Sequence, residues 1–518
     1  MFDWLTERAR QTPLKLALVI GARRWTYGEL DTAVSHLAAY LYAQGIRPGD
    51  FVAALLPNSF EYVCLIHALA RLGAVLVPLN TRLTPAELQW QVDHVGAKWL
   101  VTEEEETGIV SCAILTVNGV GWLESKSALT IHHAPFTLHH LQAIVFTSGT
   151  SGKPKGAMLT YANHFHSAMA SAERLGVQED DLWLSVLPLY HVGGLAVIFR
   201  SCLLGTAVSL HPRFDLDAIN HDLNNYPITL ISLVPTMLRR LLETRAFWPA
   251  TLRLILLGGA AAPAELVERA NTLPRHSLSV NRLPLTDHGL PLTDHGLLIT
   301  DHRFPLVATT YGLTEAASQV ATMPPAEAAR KPGSVGNPLP GTTVKIVDAQ
   351  GNELPTGAYG EIVVTGATVM AGYWNAGRGM RNVESSLRTH ATGDIGYLDG
   401  DGDLWVVQRR TDLIVSGGEN VYPVEVEAAL RSHPAVAEAC VVGVPDAEWG
   451  QRVTAMVVAR GEVTAVDLLN FLRQHLAGYK IPRQIWFVDA LPLTASGKIA
   501  RQQVVEEIVK GERVAAWL

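Results

Sequence analysis

Residues 143–156 read Ala143-Ile144-Val145-Phe146-Thr147-Ser148-Gly149-Thr150-Ser151-Gly152-Lys153-Pro154-Lys155-Gly156. The apolar run Ala143–Phe146 predicts a buried strand, and the hydroxyl- and glycine-rich loop opens where that strand ends. Glycine lets a backbone turn tightly and approach a ligand. The hydroxyls and free amides can donate to phosphate oxygens, while Lys153 and Lys155 supply point charge. The stretch therefore reads as a polyphosphate cradle, although an ordinary turn draws on the same residue types. It is not a P-loop, which needs Gly, four residues, then Gly-Lys followed by Ser or Thr. Here Pro154 follows Lys153 and Thr147 stands where the first glycine should be; at Gly497-Lys498 the next residue is Ile499.

Composition narrows the field. At 518 residues the chain exceeds the size at which single cores stop growing, about 250–300 residues, so several subdomains are expected. A net charge of -8 argues against a nucleic-acid partner held by general electrostatics. Cys64, Cys112, Cys202 and Cys440 are far apart, which suggests a reducing compartment, with neither disulfides nor zinc. The start, Met1-Phe2-Asp3-Trp4-Leu5-Thr6-Glu7, is no secretion signal. The most apolar stretch, Tyr62 to Leu79, is interrupted by His67, Arg71, Gly73 and Pro78 and is too broken to span a bilayer. A soluble cytoplasmic protein is expected, with a homodimer left open.

Local patterns predict an α/β fold. Thr26-Tyr27-Gly28-Glu29 has the form of a capping box and opens a helix to about Gln44, ended by Gly45. Strand, helix and strand follow at Phe51–Leu56, Ser59–Leu72 and Ala74–Pro78. The rhythm returns at Leu182–Pro188, Ala207–Leu210, Thr229–Val234 and Leu252–Leu257. Strands alternating with helices predict layered, largely parallel sheets. From Gly341 short runs (Val344–Val347, Gly360–Thr365, Leu404–Val407) predict a β subdomain over about 341–408. The chain beyond 412 predicts a small α+β domain: helix from Pro423, strands Ala435–Val442 and Val453–Val458, helix Ala465–Leu476, strand Ile485–Val488. The expected division is thus 1–408, a hinge at 409–412, and 413–518. Between them, Leu283–Gly289, Leu290–Gly296 and Leu297–Arg303 are near-copies of Leu-Pro-Leu-Thr-Asp-His-Gly. Proline and glycine forbid a continuous helix there, and a tandem duplication expanded into an exposed loop explains the repeat better than a metal site.

Further motifs follow the cradle in order: Gly258-Gly259-Ala260-Ala261-Ala262-Pro263, Thr309-Thr310-Tyr311-Gly312-Leu313-Thr314-Glu315, Thr392-Gly393-Asp394, Arg409-Arg410-Thr411-Asp412, and Leu493-Thr494-Ala495-Ser496-Gly497-Lys498. Together these resemble the acyl- and aryl-CoA synthetases of the adenylate-forming superfamily over nearly the whole chain. The resemblance implies a large N-terminal domain, a small mobile C-terminal lid, and ATP, magnesium and CoA as ligands. It implies that Thr147, Ser148, Gly149, Thr150 and Lys155 hold the β- and γ-phosphates. Tyr311, between Thr310 and Gly312, would lie against adenine, supported by Gly259 and Ala260. Thr314 and Glu315 would stand at the phosphates, with Glu315 on magnesium, a cation suited to a carboxylate plus phosphates. Asp394 and Arg409 would bind ribose, and Lys498 would stabilise charge during adenylation. Thr411 would lie at the hinge, Gly417 and Gly418 would line the pantetheine tunnel, and Trp449 would stack on the CoA adenine, although packing in the core would equally account for a tryptophan.

Leu187-Pro188-Leu189-Tyr190-His191-Val192-Gly193-Gly194 resembles the superfamily's aromatic motif, which puts His191 at the acyl pocket. The text through Arg200 to His211-Pro212-Arg213-Phe214-Asp215, with Ser416-Gly417-Gly418-Glu419-Asn420-Val421-Tyr422-Pro423, resembles the o-succinylbenzoate–CoA ligases of menaquinone biosynthesis. Such an acid keeps one carboxylate free while the other is activated, so its pocket should hold a cation. Arg200 stands nine residues after His191 on a predicted helix and is the candidate; a surface arginine would read the same way. Gln408 departs from the glycine usual before the hinge arginine. A ligase for benzoate-type or medium-chain acids is the runner-up. A carrier-linked adenylation domain is disfavoured because no carrier segment follows, and a non-catalytic nucleotide binder would need neither Glu315 nor Lys498.

Overall fold

The computed structural model describes residues 3–103, 108–109, 111–117, 137–147, 154–260, 262–276, 306–328, 330–374, 387–408, 413–492 and 499–510. The Asp-His repeat lies outside the described residues.

The capping box at Thr26 forms as expected. Thr26 caps the helix Tyr27–Ala43, its side chain accepting from the Glu29 amide while Glu29 reaches back. Ser59 caps Phe60–Leu72, which Gly73 ends in the left-handed region at φ 71°. Two large sheets flank these helices. One has eight strands, in the order Ser318–Met323, Val307–Leu313, Leu254–Leu257, Leu230–Leu233, Leu182–Ser185, Ala207–Leu210, Leu16–Ile20, Arg23–Thr26. It is parallel except for the antiparallel hairpin at each edge. The other has six strands, Ala113–Thr116, Trp99–Thr102, Phe51–Leu55, Val75–Pro78, Leu141–Thr147 and Lys155–Thr160, again with an antiparallel final pair. Thr147 and Lys155, on either side of the cradle, therefore pair across two antiparallel strands.

Leu37, Leu65 and Phe199, on three helices, pack with Val52 and Leu76 of the six-stranded sheet and Leu18 and Leu230 of the eight-stranded one. Phe60–Leu72 is buried nearly all round, as a helix between two sheets must be. That burial takes in the polar residues that interrupt the apolar stretch. Arg71, 4% exposed, donates Nε to Asp3 at 2.6 Å and Nη2 to Asp31 at 2.5 Å. Burial lowers the His67 pKa to about 4, so its ring is neutral.

Thr342–Val347, Gly360–Gly366, Arg388–Leu398 and Leu404–Gln408 form a four-stranded antiparallel sheet, with Gln408 opposite Ile395. The smaller C-terminal domain is built on Glu419–Val421, Ile414–Ser416, Gly450–Ala459, Val436–Asp446 and Gln484–Phe487. Helices Pro423–Arg431 and Ala465–Arg473 contribute Val426, Leu430 and Leu468 to one face of that sheet. Val504 and Ile508, on a helix Arg501–Lys510 that the sequence reading missed, pack with Cys440 and Met456 on the other.

Element bounds differ where local chemistry intervenes. The strand from Leu182 stops at Ser185 rather than Pro188, because proline lacks the amide that a ladder needs and the chain turns toward the helix Val192–Leu204. The strands around Val442 and Val453 are longer than expected because they run on as one hairpin to the pair Asp446–Gly450. No helix among the described residues is long and apolar enough to cross a membrane.

The Arg71 network gives a stability test. Arg71→Met strands the Asp3 carboxylate in the core and should cost about 3–5 kcal/mol, read as a lower denaturation midpoint, with partial recovery on adding Asp3→Asn. Burial pushes Asp3 upward, but Arg71 outweighs it and holds the carboxyl below its ordinary value. The pair's contribution is thus complete above that ordinary value and is lost only as pH falls through the lower folded value.

Candidate active site

Four separate parts of the chain converge on one cavity of about 760 Å³. The first is the base of the cradle hairpin, where Thr147 pairs with Lys155. Thr147 Oγ1 lies 3.4 Å from Glu315 Oε1, although 168 residues separate them. The Tyr373 hydroxyl donates to the same carboxylate oxygen at 2.6 Å, and Lys155 Nζ stands 5.2 Å from the Tyr373 ring centre. Thr147 and Glu315, together with a tyrosine that sequence reasoning missed, thus form one cluster. Ser148, Gly149 and Thr150 lie outside the described residues.

Glu315 is 7% exposed and sits on a single 3-10 turn, Thr314–Ala316. The next residues, Ala317 and Ser318, adopt positive φ of 51° and 107°. Such conformations cost roughly 1–3 kcal/mol each for residues with a side chain and gather at functional sites. They reverse the chain at once, so that Ser318–Met323 can pair back on Val307–Leu313. The reversal is so tight that a Cβ at Gly312 would fall 1.9 Å from the Ser318 carbonyl oxygen. Only glycine fits there.

The second part gathers the residues expected at the nucleoside. Gly259, at φ 80°, follows the strand Leu254–Leu257 and lines the cavity with Thr310 and Gly312; Ala260 beside it is half-buried. Asp394 also faces the cavity and accepts from the Tyr311 hydroxyl at 2.6 Å, while its own amide donates to Thr392 Oγ1 at 3.1 Å. Tyr311 is 2% exposed, its ring packed among Val320, Val344 and Val364. In this state the tyrosine orients the carboxylate. Arg409 and Thr411 lie outside the described residues.

The third part is the pocket around the helix Val192–Leu204, with His191 at its N-cap. A Cβ on Gly194 would meet the Pro188 carbonyl oxygen at 2.3 Å, so glycine is required where the helix start packs on the preceding turn. Asn58, unread in the sequence, pins that turn: its amide donates to the carbonyls of Leu187 and His211 at 3.0 Å and accepts from the Leu189 amide at 2.8 Å. Arg200 lines the cavity and is only 3% exposed. It donates Nη2 to Gln319 Oε1 at 2.9 Å and lies 4.8 Å from the centre of the Trp183 ring. Its Nε has no hydrogen-bond partner, and among the described residues no carboxylate pairs with it. Burial pulls its pKa down to about 10. The surface-arginine alternative is excluded.

The fourth part comes from the small domain. Gly417 and Gly418, at φ 59° and 86°, turn the hairpin Ile414–Ser416 to Glu419–Val421, the two-glycine connection that such a tight hairpin favours. Its tip enters the cavity: a Cβ on Gly418 would lie 3.4 Å from Val234. Glu419, 5% exposed, then meets Arg82 Nη1 at 3.0 Å and His191 Nε2 at 3.2 Å. Burial would raise its pKa, but His191 and Arg82 outweigh burial and hold it at about 2. Lys480 Nζ completes the seam, 2.5 Å from Glu87 of the large domain and 2.7 Å from Glu425 of the small one. Trp449 lines the cavity mouth with the Arg483 guanidinium 3.7 Å from its ring centre, so it is no core residue. Lys498 lies outside the described residues. Glu419 falls inside a motif already singled out for its glycines; its partner Arg82, like Lys480 farther along the seam, carried no signal of its own.

Comparison with known proteins gives this geometry a family. Residues 5–280 and 295–374 match the AMP-binding enzyme model, and residues 425–498 match the AMP-binding enzyme C-terminal domain. The break at 281–294 overlaps the first two copies of the Asp-His repeat. The chain is 39% identical to a 2-succinylbenzoate–CoA ligase of Bacillus licheniformis, covering 97% of this chain and 99% of that one. A double mutant of o-succinylbenzoate CoA synthetase from Bacillus subtilis, bound with its product analogue, is 36% identical and superposes with a TM-score of 0.86 over 99% of both chains. The same synthetase in complex with ATP and magnesium, also 36% identical, reaches only 0.68 over 97% of this chain and 98% of that one. With sequence identity unchanged, that difference reports arrangement, and the arrangement here is nearer the product-analogue form. The chain belongs to the AMP-binding enzyme family.

Proposed function

We propose that the protein is an ATP-dependent acid–CoA ligase whose acid is 2-succinylbenzoate, which it activates as acyl-AMP and then transfers to CoA. The observation that carries the choice of acid is Arg200: a buried guanidinium on the cavity wall, unpaired with any described carboxylate. A diacid brings the missing negative charge, and a charge-assisted pair with arginine is among the strongest polar contacts available. The likeness to ligases that carry this acid in their names supports the same reading.

A carboxylate is a poor acyl donor because its leaving group would be oxide. In the first step one carboxylate oxygen attacks the α-phosphorus of ATP, the bond to the pyrophosphate oxygen breaks, and acyl-AMP forms. Thr147, Ser148, Gly149, Thr150 and Lys155 hold the departing pyrophosphate, Asp394 and Arg409 the ribose, and Lys498 the charge growing between them. Glu315, a buried carboxylate beside the hydroxyls of Thr147 and Tyr373, is a hard-oxygen donor suited to magnesium, which when bound would neutralise phosphate charge. In the second step the CoA sulfur attacks the acyl carbon, its proton is released and AMP leaves. Residues 409–412 act as the hinge between 1–408 and the lid 413–518. The present orientation, with the Gly417-Gly418 tip in the cavity and Trp449 at its mouth, is the one used for the second step.

Pyrophosphate release across a panel of acids tests the reading: 2-succinylbenzoate should turn over best, and strong benzoate turnover with none on 2-succinylbenzoate would defeat it. Lys498→Ala should slow adenylation by about 100-fold or more while leaving thioester formation from supplied acyl-adenylate largely intact. Glu419→Gln should do the reverse, slowing thioester formation by about tenfold or more, as expected for losing a buried charge-assisted contact. Because Glu419 is held at about 2, below its ordinary 4.5, its contact is complete above 4.5 and fades only as pH falls toward 2. The thioester step of the unaltered protein should therefore show no loss attributable to Glu419 near neutral pH.

A further inference from the structure

We propose that Gln319 is the positioning residue that makes the pocket select an acid with a second negative charge: its neutral carboxamide fixes the Arg200 guanidinium without neutralising it. The inference rests on the reading of Arg200 given above and names the residue that keeps that arginine available.

Gln319 is 2% exposed and follows the two positive-φ residues Ala317 and Ser318. The strained reversal places it opposite Gly312 in the strand pair. The orientation of its amide is fixed from both ends. Arginine has only donors, so the oxygen must face Arg200, where it accepts at 2.9 Å. The amide nitrogen donates to Thr322 Oγ1 at 2.9 Å, and that hydroxyl is shared with Thr310 Oγ1 at 2.8 Å. Trp183 supports the guanidinium from another side, its own ring held by an Nε1 hydrogen bond to Ser232 at 2.9 Å.

A glutamate at 319 would have the same shape, would accept the same hydrogen bond, and would supply the counter-charge that a buried arginine requires. The chain carries the amide instead. The pocket therefore has a rigidly held cation whose compensation is left to whatever enters the cavity. An acid with one carboxylate uses that group for adenylation and offers nothing to Arg200. A diacid offers its second carboxylate, and burial makes the pair discriminating because a desolvated polar group left unmatched is costly.

The test compares the unaltered protein with Gln319→Glu and Gln319→Met, measuring kcat/KM for adenylation of 2-succinylbenzoate and of its two monomethyl esters. The more reactive ester serves as the reference acid lacking the second charge. The unaltered protein should favour the diacid. Gln319→Glu, which is isosteric, should lower that diacid-to-ester ratio by about 100-fold, mainly through the KM of the diacid. Gln319→Met, which leaves Arg200 unneutralised, should keep a preference for the diacid. If Gln319→Glu reduces both acids equally, or leaves the ratio unchanged while the unaltered protein still prefers the diacid, the role of Gln319 is overturned and the reading of Arg200 stands. If the unaltered protein is indifferent to the second charge, that reading falls and takes this proposal with it.

Discussion

A cation buried without a counter-charge constrains the pocket more than any other feature. Arg200 is 3% exposed, is touched by an amide and an indole face, and meets no carboxylate among the described residues. Removing a guanidinium from water is costly, and folded proteins usually offset that cost with an acid. Elsewhere this chain does so: Arg71, on a neighbouring buried helix, is held by Asp3 and Asp31. The contrast between two buried arginines, one closed by acids and one left open toward a cavity, is what the proposed recognition role of Arg200 rests on.

The rest of the site is arranged around that opening. Thr147 stands on the cradle hairpin beside the Glu315 turn, and Asp394 comes from the antiparallel sheet. The small domain closes the cavity by electrostatics as much as by packing. Glu419 inserts between His191 and Arg82, and Lys480 is shared between Glu87 and Glu425. The contacts of Glu419 with His191 and Arg82 and of Lys480 with Glu87 span the two domains, so these would break in any other orientation of the small domain, whereas Lys480–Glu425 lies within it. The closer match to the product-analogue complex than to the ATP complex of one synthetase agrees with these contacts belonging to a single arrangement.

Much of this was legible in the chain because it is local. The capping box at Thr26 and the helix from Ser59 to Leu72 depend on neighbours in sequence, and both form as read; the glycines 417 and 418, read only as lining a tunnel, also turn a hairpin. The ordered motifs marked Thr147, Glu315 and Asp394, and the fold brings all three to one cavity. What could not be read was pairing across distance. Nothing near Arg82 or Lys480 announces a glutamate more than fifty residues away, and Asn58 looks like any polar residue before a helix. Arg200 lay between the two cases: spacing put it on the helix, but only the helix's burial on nearly every face decided that its side chain points inward. Gln319 was missed because a glutamine gains meaning only from the charge it does not carry.

The most direct test is a crystal structure of this protein with the acyl-adenylate of 2-succinylbenzoate, read for the position of the carboxylate that was not activated. The account predicts that carboxylate within hydrogen-bonding distance of the Arg200 guanidinium, occupying its unpartnered Nε side, with Gln319 still accepting from Nη2. A free carboxylate directed to solvent, or held by another cation while Arg200 keeps only Gln319 and Trp183, would contradict it.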